Sequence, residues 1–501
     1  MDRGLGKLNR NRKQIVLESI FRLARLQNTV VLTVLSSPAF AQAGFTPGTD
    51  MNYARSFHTA TLLADGTVLI AGGYNNTDPV YTPETYDPST GAFTPTGPML
   101  NDYPSSATLL PDGRALLAGG TAQLYDPSTR TFATTGNGAT PNGCAATLLN
   151  NGKVLFTGDP PPYGVSATAQ LYDPETGSFT PTGPYASLEI AQTDHANIPG
   201  YGGWDCRRAT LLPNGTVLVV GGVAAEIYDP QTNTFSLTGT LITRYSFVTT
   251  LPIPWGDPAD ASPLLNGMVL FSGGDEDLGP SQGAWLYDPS SGTFRTAGPM
   301  ISSRTENPTT LLPDGTVLIA GGRYYGAIDS AELYDSVADM FVGVGPMVVP
   351  RCAHTATLLA NGQVMIAGGI NDSGNLSSTE IYTPAIVVPA PQLFALPGGG
   401  ENQGAIWHSA TGIIASPDSP AVGGDILSMY TTNLSDGGAI PPQVSIGGRF
   451  ADVLYFGPAP GYPGYYQVNF RVPDGTTPAT AVPIRLRYLG RSTNQVTIAI
   501  R

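Results

Sequence analysis

Cysteine is scarce in this sequence: Cys144, Cys206 and Cys352 are the three in 501 residues. So few, and an odd number, exclude a disulfide scaffold; three small buried thiols are expected, and one bridge is the most the count allows. Histidine is rarer still for the length, with four. Basic residues are also short, 24 Lys and Arg against 38 Asp and Glu, for a net charge of −14. A nucleic-acid binder presents a basic face, and the body of this chain lacks the residues for one. No apolar run is long enough to cross a bilayer. Only 12% of residues are charged.

Glycine and proline, by contrast, are abundant, at 61 and 45, and hydrophobic residues make up 41%. That balance favours many short strands joined by tight turns over helices. The length exceeds one ordinary core, so a large repeat domain or several domains are expected.

The first 41 residues differ in kind. They carry Arg3, Lys7, Arg10, Arg12, Lys13, Arg22 and Arg25 against Asp2 and Glu18, then the apolar run "TVVLTVL", then "SSPAFAQA". Ala39-Phe40-Ala41 is a small-x-small cleavage pattern, so residues 1–41 read as a secretory signal with a long basic leader. Removal takes the net charge to −19. The mature chain is expected outside the cytoplasm: secreted, periplasmic or on the cell surface.

One block then recurs seven times. It reads "DGTVLIAGG" at 65, "DGRALLAGG" at 112, "NGKVLFTGD" at 151, "NGTVLVVGG" at 214, "NGMVLFSGG" at 266, "DGTVLIAGG" at 314 and "NGQVMIAGG" at 361. A "TLL"-like strand precedes each block; in the fifth repeat that strand is read as "FVTTL", separated from the block by the insertion "PIPWGDPADASPLL". A Tyr-Asp strand follows in the first six, from Tyr86-Asp87 to Tyr334-Asp335, and Tyr382-Thr383 in the seventh. Four strands per repeat result: strand a, an Asp-Gly or Asn-Gly turn to an apolar strand b, strand c, and a Pro-x-Thr-Gly turn to strand d. The Gly-Gly after strand b and the Tyr-Asp of strand c resemble the Kelch repeat. The resemblance implies an all-β, seven-bladed Kelch β-propeller over residues 43–384. The seventh repeat ends after strand c, while "AGFTPGTDM" at 43–51 matches "GAFTPTGPM" at 91–99. The N-terminal segment is therefore expected to supply the missing strand and close the ring.

Residues 385–402 read as a Pro- and Gly-rich linker, and 403–501 as short alternating strands of a small Ig-like β-sandwich. "VSIGGRFADVLYFGP" and "YYQVNFRVPDG" resemble a C-terminal domain of secreted bacterial proteins that brings no known chemistry.

His58 and His354 each open a strand a, three residues after an arginine. The other repeats place Ser105, Cys144, Arg207, Phe247 and Asn307 there, a set no metal ring tolerates, so both histidines are expected to orient the strand entry by hydrogen bonds. "DED" at 275–277 and "NDSGN" at 371–375 lack the spaced oxygens of a calcium loop. The chain also resembles copper radical oxidases of the galactose and glyoxal oxidase kind, which are seven-bladed Kelch propellers with a C-terminal sandwich. That resemblance implies a copper site with a Cys–Tyr thioether, matched here by Cys206 and Tyr245, and a propeller histidine, matched by His354. The residue before His354 is Ala353 instead of Tyr, and His408 precedes the sandwich strands. Two of five groups are thus absent or misplaced, and an enzyme is not expected.

If the four strands alternate, the short a–b and c–d turns share one face and the longer b–c and d–a loops the other, where binding is expected. That face would carry Tyr163, Tyr185, Tyr201, Trp204, Arg323, Tyr324 and Tyr325, with residues 183–206 its longest loop. The function read from this is a monomeric, non-enzymatic binding or adhesion module for a carbohydrate or protein ligand, without a cofactor; the alternative is the copper oxidase.

Overall fold

The computed structural model describes residues 43–100, 104, 106–136, 145–158, 168–186, 207–221, 224–239, 260–276, 279–396, 402–435 and 438–501. It is all-β, with no α-helix among these residues and no helix long and apolar enough to cross a membrane. The chain divides into two compact units, residues 43–387 with 438–440, and 388–437 with 441–501.

The first unit is a seven-bladed β-propeller. Blade 1 runs Thr59–Leu62, Val68–Ala71, Glu84–Asp87 and Ala92–Pro95 as strands a to d, all antiparallel. Five further four-stranded sheets repeat this order, opening with Ser106–Leu109, Ala145–Leu148, Arg208–Leu211, Asp260–Pro263 and Thr309–Leu311. Blade 7 contains Thr355–Leu358, Val364–Ala367 and Thr379–Thr383, and its outer strand is Gly44–Pro47 from the N-terminus. The seven inner strands neighbour one another in a closed ring, the last touching the first.

The repeat works because each blade uses the same local devices. The leucine before each turn donates its N–H to the carbonyl four residues on, at 2.8 Å, in all seven blades from Leu63–Thr67 to Leu359–Gln363. The turn glycine, Gly66 and its equivalents, sits at φ 84–94°, where a side chain is strained. The four b-strand residues Val68–Ala71 and their equivalents are buried on both faces, as a sheet between sheets requires. Each c-strand tyrosine packs on the d-strand phenylalanine directly opposite, with ring centroids 4.8–5.0 Å apart in all seven blades. In blade 7 the pair is Tyr382 with Phe45, so the N-terminal strand completes the blade in register.

Blade 5 corrects the sequence reading. Its strand a is Asp260–Pro263, paired with Val269–Ser272, not the run "FVTTL". Leu264 takes the place of Leu63 and bonds Met268. Strand a therefore lies inside the run read as an insertion, the extra residues fall before it in the d–a connection, and the a–b turn is as short as the others. Phe247 is not the residue that opens this strand, and Tyr245 stands fifteen residues before it.

The second unit is one curled sheet. Strand Arg449–Pro458 pairs at its start with Gln443–Ile446 and from Asp452 on with Tyr466–Arg471, with a bulge at Val453–Tyr455 within the second pairing. Both halves line one core that includes Leu427, Val444, Phe470, Ile484 and Ile498. Leu393 belongs to this core, and Arg491 donates to the Val388 carbonyl, so much of the expected 385–402 linker is part of the unit.

Candidate binding face

Among the described residues, four buried ion pairs hold the d–a and b–c connections in place. Arg55–Glu84, Arg207–Glu226, Arg304–Glu332 and Arg351–Glu380 stand at 3.1, 3.1, 2.6 and 2.8 Å, with side chains at most 2% exposed. Each joins the entry of strand a to strand c of the same blade. The carboxylates also accept N–H groups from the segment arriving from the previous blade: Asn52, Ala186, Ile301 with Ser302, and Val348 with Val349. Burial lowers the arginine pKa of Arg55, Arg304 and Arg351, and the facing glutamate opposes that shift. The arginines bond the first glycine of their own Gly-Gly, at Gly72, Gly321 and Gly368. Their carbonyls accept the second glycine N–H of the blade before, Gly274 to Arg304, Gly322 to Arg351 and Gly369 to Arg55. Glycine is needed there: a Cβ on Gly369 would stand 2.6 Å from the Cys352 carbonyl oxygen. These clasps were not read from the sequence, although the pairing of Arg before the histidine place with Glu in strand c, seen in blades 1, 6 and 7, is visible in it.

His58 and His354 fill the notch between neighbouring Gly-Gly corners. His58 Nε2 lies 3.0 Å from Thr355 Oγ1, as the structural reading expects. His354 has the Ala320 carbonyl facing its ring but no well-formed hydrogen bond at either nitrogen. Burial, then the nearby arginine charge, lowers the His58 pKa to about 3 and holds His354 well below the imidazole range.

Just before them the backbone turns left-handed. Phe57, Glu306 and Ala353 have φ of 54°, 53° and 51° in blades 1, 6 and 7. Phe57 N–H donates to the Ala353 carbonyl, and Ala353 N–H to the Glu306 carbonyl, so the three follow one another at the entry to the inner strands. The b–c loops stand beside them through the bridges Ser56–Tyr74, Thr305–Arg323 and Cys352–Ile370. Asn375 of the blade 7 hairpin accepts from Asn76 N–H and donates to Ser56 and Tyr74, locking blade 7 to blade 1. Arg323 reaches Glu306 at 3.5 Å. Cys352 is buried, and burial followed by the Glu306 charge raises its thiol to about 12, which disfavours the thiolate.

The expected contact residues divide sharply. Arg323, Tyr324 and Tyr325 are exposed and together on the blade 6 loop, with the tyrosine rings 4.7 Å apart and Tyr325 79% exposed at φ 54°. Tyr185 is corrected: it is 2% exposed, packed on Phe235 at 4.7 Å and under the Arg207 guanidinium at 3.9 Å. It belongs to the core because it occupies the place that Met51, Met99, Met300 and Met347 take before other blades. Tyr163, Tyr201, Trp204, Cys206 and Tyr245 lie outside the described residues. The sequence reading overlooked Tyr53, Phe57 and Tyr81. With Tyr324 and Tyr325 they are all the exposed aromatics of the described propeller, and all five fall in d–a or b–c connections of blades 1 and 6.

A copper centre does not fit the described residues. No three His, Cys, Asp or Glu side chains among them come together as a metal site. The His354 ring is enclosed against Gly321, and strand a of blade 5 begins at Asp260, fifteen residues past Tyr245 in the sequence.

Residues 55–100 match the Kelch motif. Blade 1 thus carries a Kelch motif, and the other six blades repeat its turn and its tyrosine–phenylalanine pair. Two galactose oxidase sequences of Gibberella zeae are 37% identical to this chain over 91 residues, covering 15% of it and 13% of theirs. The chain thus matches a small part of those relatives. A copper-bound fungal alcohol oxidase described as having catalytic diversity among the AA5 family superposes with a TM-score of 0.58 at 14% identity, over 91% of this chain and 99% of that one. At that identity the likeness is one of fold.

Proposed function

We propose that this Kelch propeller is an exported binding module whose working face is the d–a and b–c side of blades 6, 7 and 1. The observation that carries the reading is the confinement of the exposed aromatics to that side, two of them held in left-handed backbone. Non-glycine residues in that conformation cost stability and concentrate at functional sites. Exposed aromatics on rigid loops suit stacking on a sugar or a protein side chain. The basic leader and Ala39-Phe40-Ala41 support export, the alternation and turn spacing of 403–501 support an Ig-like sandwich for the second unit, and a monomer is part of the same proposal. A glycan and protein array probed with the mature chain tests it; a ligand whose binding survives loss of Tyr324 and Tyr325 would place the working face elsewhere.

The second reading is a copper-dependent oxidase, which the comparisons favour over a binding module. It needs ligands from residues outside those described, Cys206 and Tyr245 among them. Copper loading followed by peptide mapping and an oxygen-consumption assay with galactose or another alcohol separates the two. A Cys206–Tyr245 peptide lighter by two hydrogens, together with turnover, would establish the oxidase; unchanged peptides and no turnover favour the module.

A further inference from the structure

We infer that the face of blades 6, 7 and 1 takes a cationic peptide segment, rich in Lys or Arg, and that Arg323 is its built-in competitor. This rests on the binding-face reading and names the chemistry of the partner.

Charge complementarity is the first ground. The d–a and b–c segments of these three blades contain five carboxylates outside the buried pairs: Asp50, Asp78, Glu306, Asp329 and Asp372. Among the described residues Arg323 is the one cation there not held in a buried pair, and the four aspartates are exposed and in no ion pair. The second ground is buried. Thr305 Oγ1 and Glu306 Oε2 are shielded from solvent and have no well-formed hydrogen bond among the described residues; the group facing the Glu306 carboxylate is the Cys352 thiol, a weak donor, and Thr305 is 5% exposed. A shielded carboxylate oxygen with only a weak donor is under-satisfied until a stronger one arrives. Arg323 supplies little: its contact is long, and its side chain is 56% exposed. An incoming ammonium or guanidinium would take its place on Glu306. The third ground is the aromatic platform. Tyr324 and Tyr325 follow Arg323, which reaches this carboxylate, and Phe57 lies on the next blade but one, so cations can sit over exposed ring faces. The carboxylates are spread over three blades, which fits a chain bearing several cations better than a single amine. A neutral glycan would use the rings and leave the charge unanswered.

The test uses the full mature chain and fluorescence anisotropy with labelled hexalysine, hexaglutamate and a neutral hexasaccharide at low salt. Hexalysine is expected to bind and to weaken with added salt. Glu306→Gln should weaken it by about tenfold, as loss of a partly desolvated charge does, and Asp372→Asn, which removes an exposed charge, by about threefold. Arg323→Gln should tighten it, an outcome that simple loss of a surface contact does not give. Asp314→Asn on the opposite face should change nothing; Asn151, Asn214 and Asn266 stand at that place in sister repeats. No binding of hexalysine, weakening by Arg323→Gln, or equal loss with Asp314→Asn overturns the inference. Binding of the hexasaccharide in place of hexalysine overturns it and leaves the binding-module reading standing. If none of the three probes responds to any variant on this face, both fall.

Discussion

His58 and His354 hold the same place in blades 1 and 7, yet only His58 has a side-chain partner. The difference lies one blade back. His58 meets Thr355 of blade 7, whereas His354 faces blade 6, where Pro308 replaces that threonine and offers no hydroxyl. Both imidazoles are buried and neutral in the fold, with His58 depressed to about 3. The unfolded chain takes up these protons near the ordinary imidazole value, so it binds more protons than the native state as pH falls from about 6.5 towards 3. Stability is therefore complete above that window and is lost through it, by about 1.4 kcal/mol per pH unit for each imidazole. Urea unfolding of wild type and of the His58→Asn, His354→Asn double variant measures this; asparagine is the residue blade 6 uses, at Asn307. The double variant should lose stability less steeply. Parallel curves would mean that the imidazoles are protonated in the native protein.

Among the elements, the closing strand Gly44–Pro47 bears the most consequence for its size. Four residues complete a blade, register Phe45 on Tyr382, and bring Gly48 and Met51 into backbone bonds with Thr379 and Ser377. Asn52, just beyond, bonds Glu84 of the first clasp. Phe45→Ala removes one of seven equivalent aromatic pairs from a partly buried site and should cost about 2 kcal/mol, below the range for fully buried phenylalanine. Deleting 43–51 should cost far more, because it also exposes the edge of strand c in blade 7. Thermal unfolding of both variants checks this, and an unchanged midpoint after the deletion would refute closure by this strand.

Element by element, the propeller was legible because its turns are chemically specified. An Asp-Gly or Asn-Gly three residues after a leucine fixes the a–b hairpin wherever it occurs. Blade 5 misled for a physical reason. "FVTTL" has the β-branched and aromatic character of a strand, while the true strand, Asp260–Pro263, has low intrinsic preference and is held by pairing with Val269–Ser272. The constant spacing of Leu264 to Gly267 was the better guide. Tyr185 misled because its blade puts tyrosine where four others put methionine, so a core residue reads as a loop aromatic. The left-handed run of Phe57, Glu306 and Ala353 carries no sequence signal, since these residue types do not ordinarily adopt that backbone.

At the scale of the molecule, the same repeated clasps that close the ring also present its variable loops. The scaffold stabilises a few residues in conformations they would not choose, and Tyr325 is the clearest of them. Its loop tip is solvent-exposed, and within the described structure the tilted contact with Tyr324 is its one ring partner. Replacing it with glycine removes the left-handed cost, offset by the greater freedom of the unfolded chain. The central claim is that this strain serves binding, so stability and binding should respond in opposite directions. The direct measurement is Tyr325→Gly, read in parallel by thermal unfolding and by affinity for the ligand that the array identifies. The account predicts a midpoint unchanged or raised, with affinity reduced by at least about tenfold, the loss typical of a stacked aromatic at a binding hot spot. A lowered midpoint with affinity intact would contradict it and make Tyr325 a structural residue of the blade 6 loop.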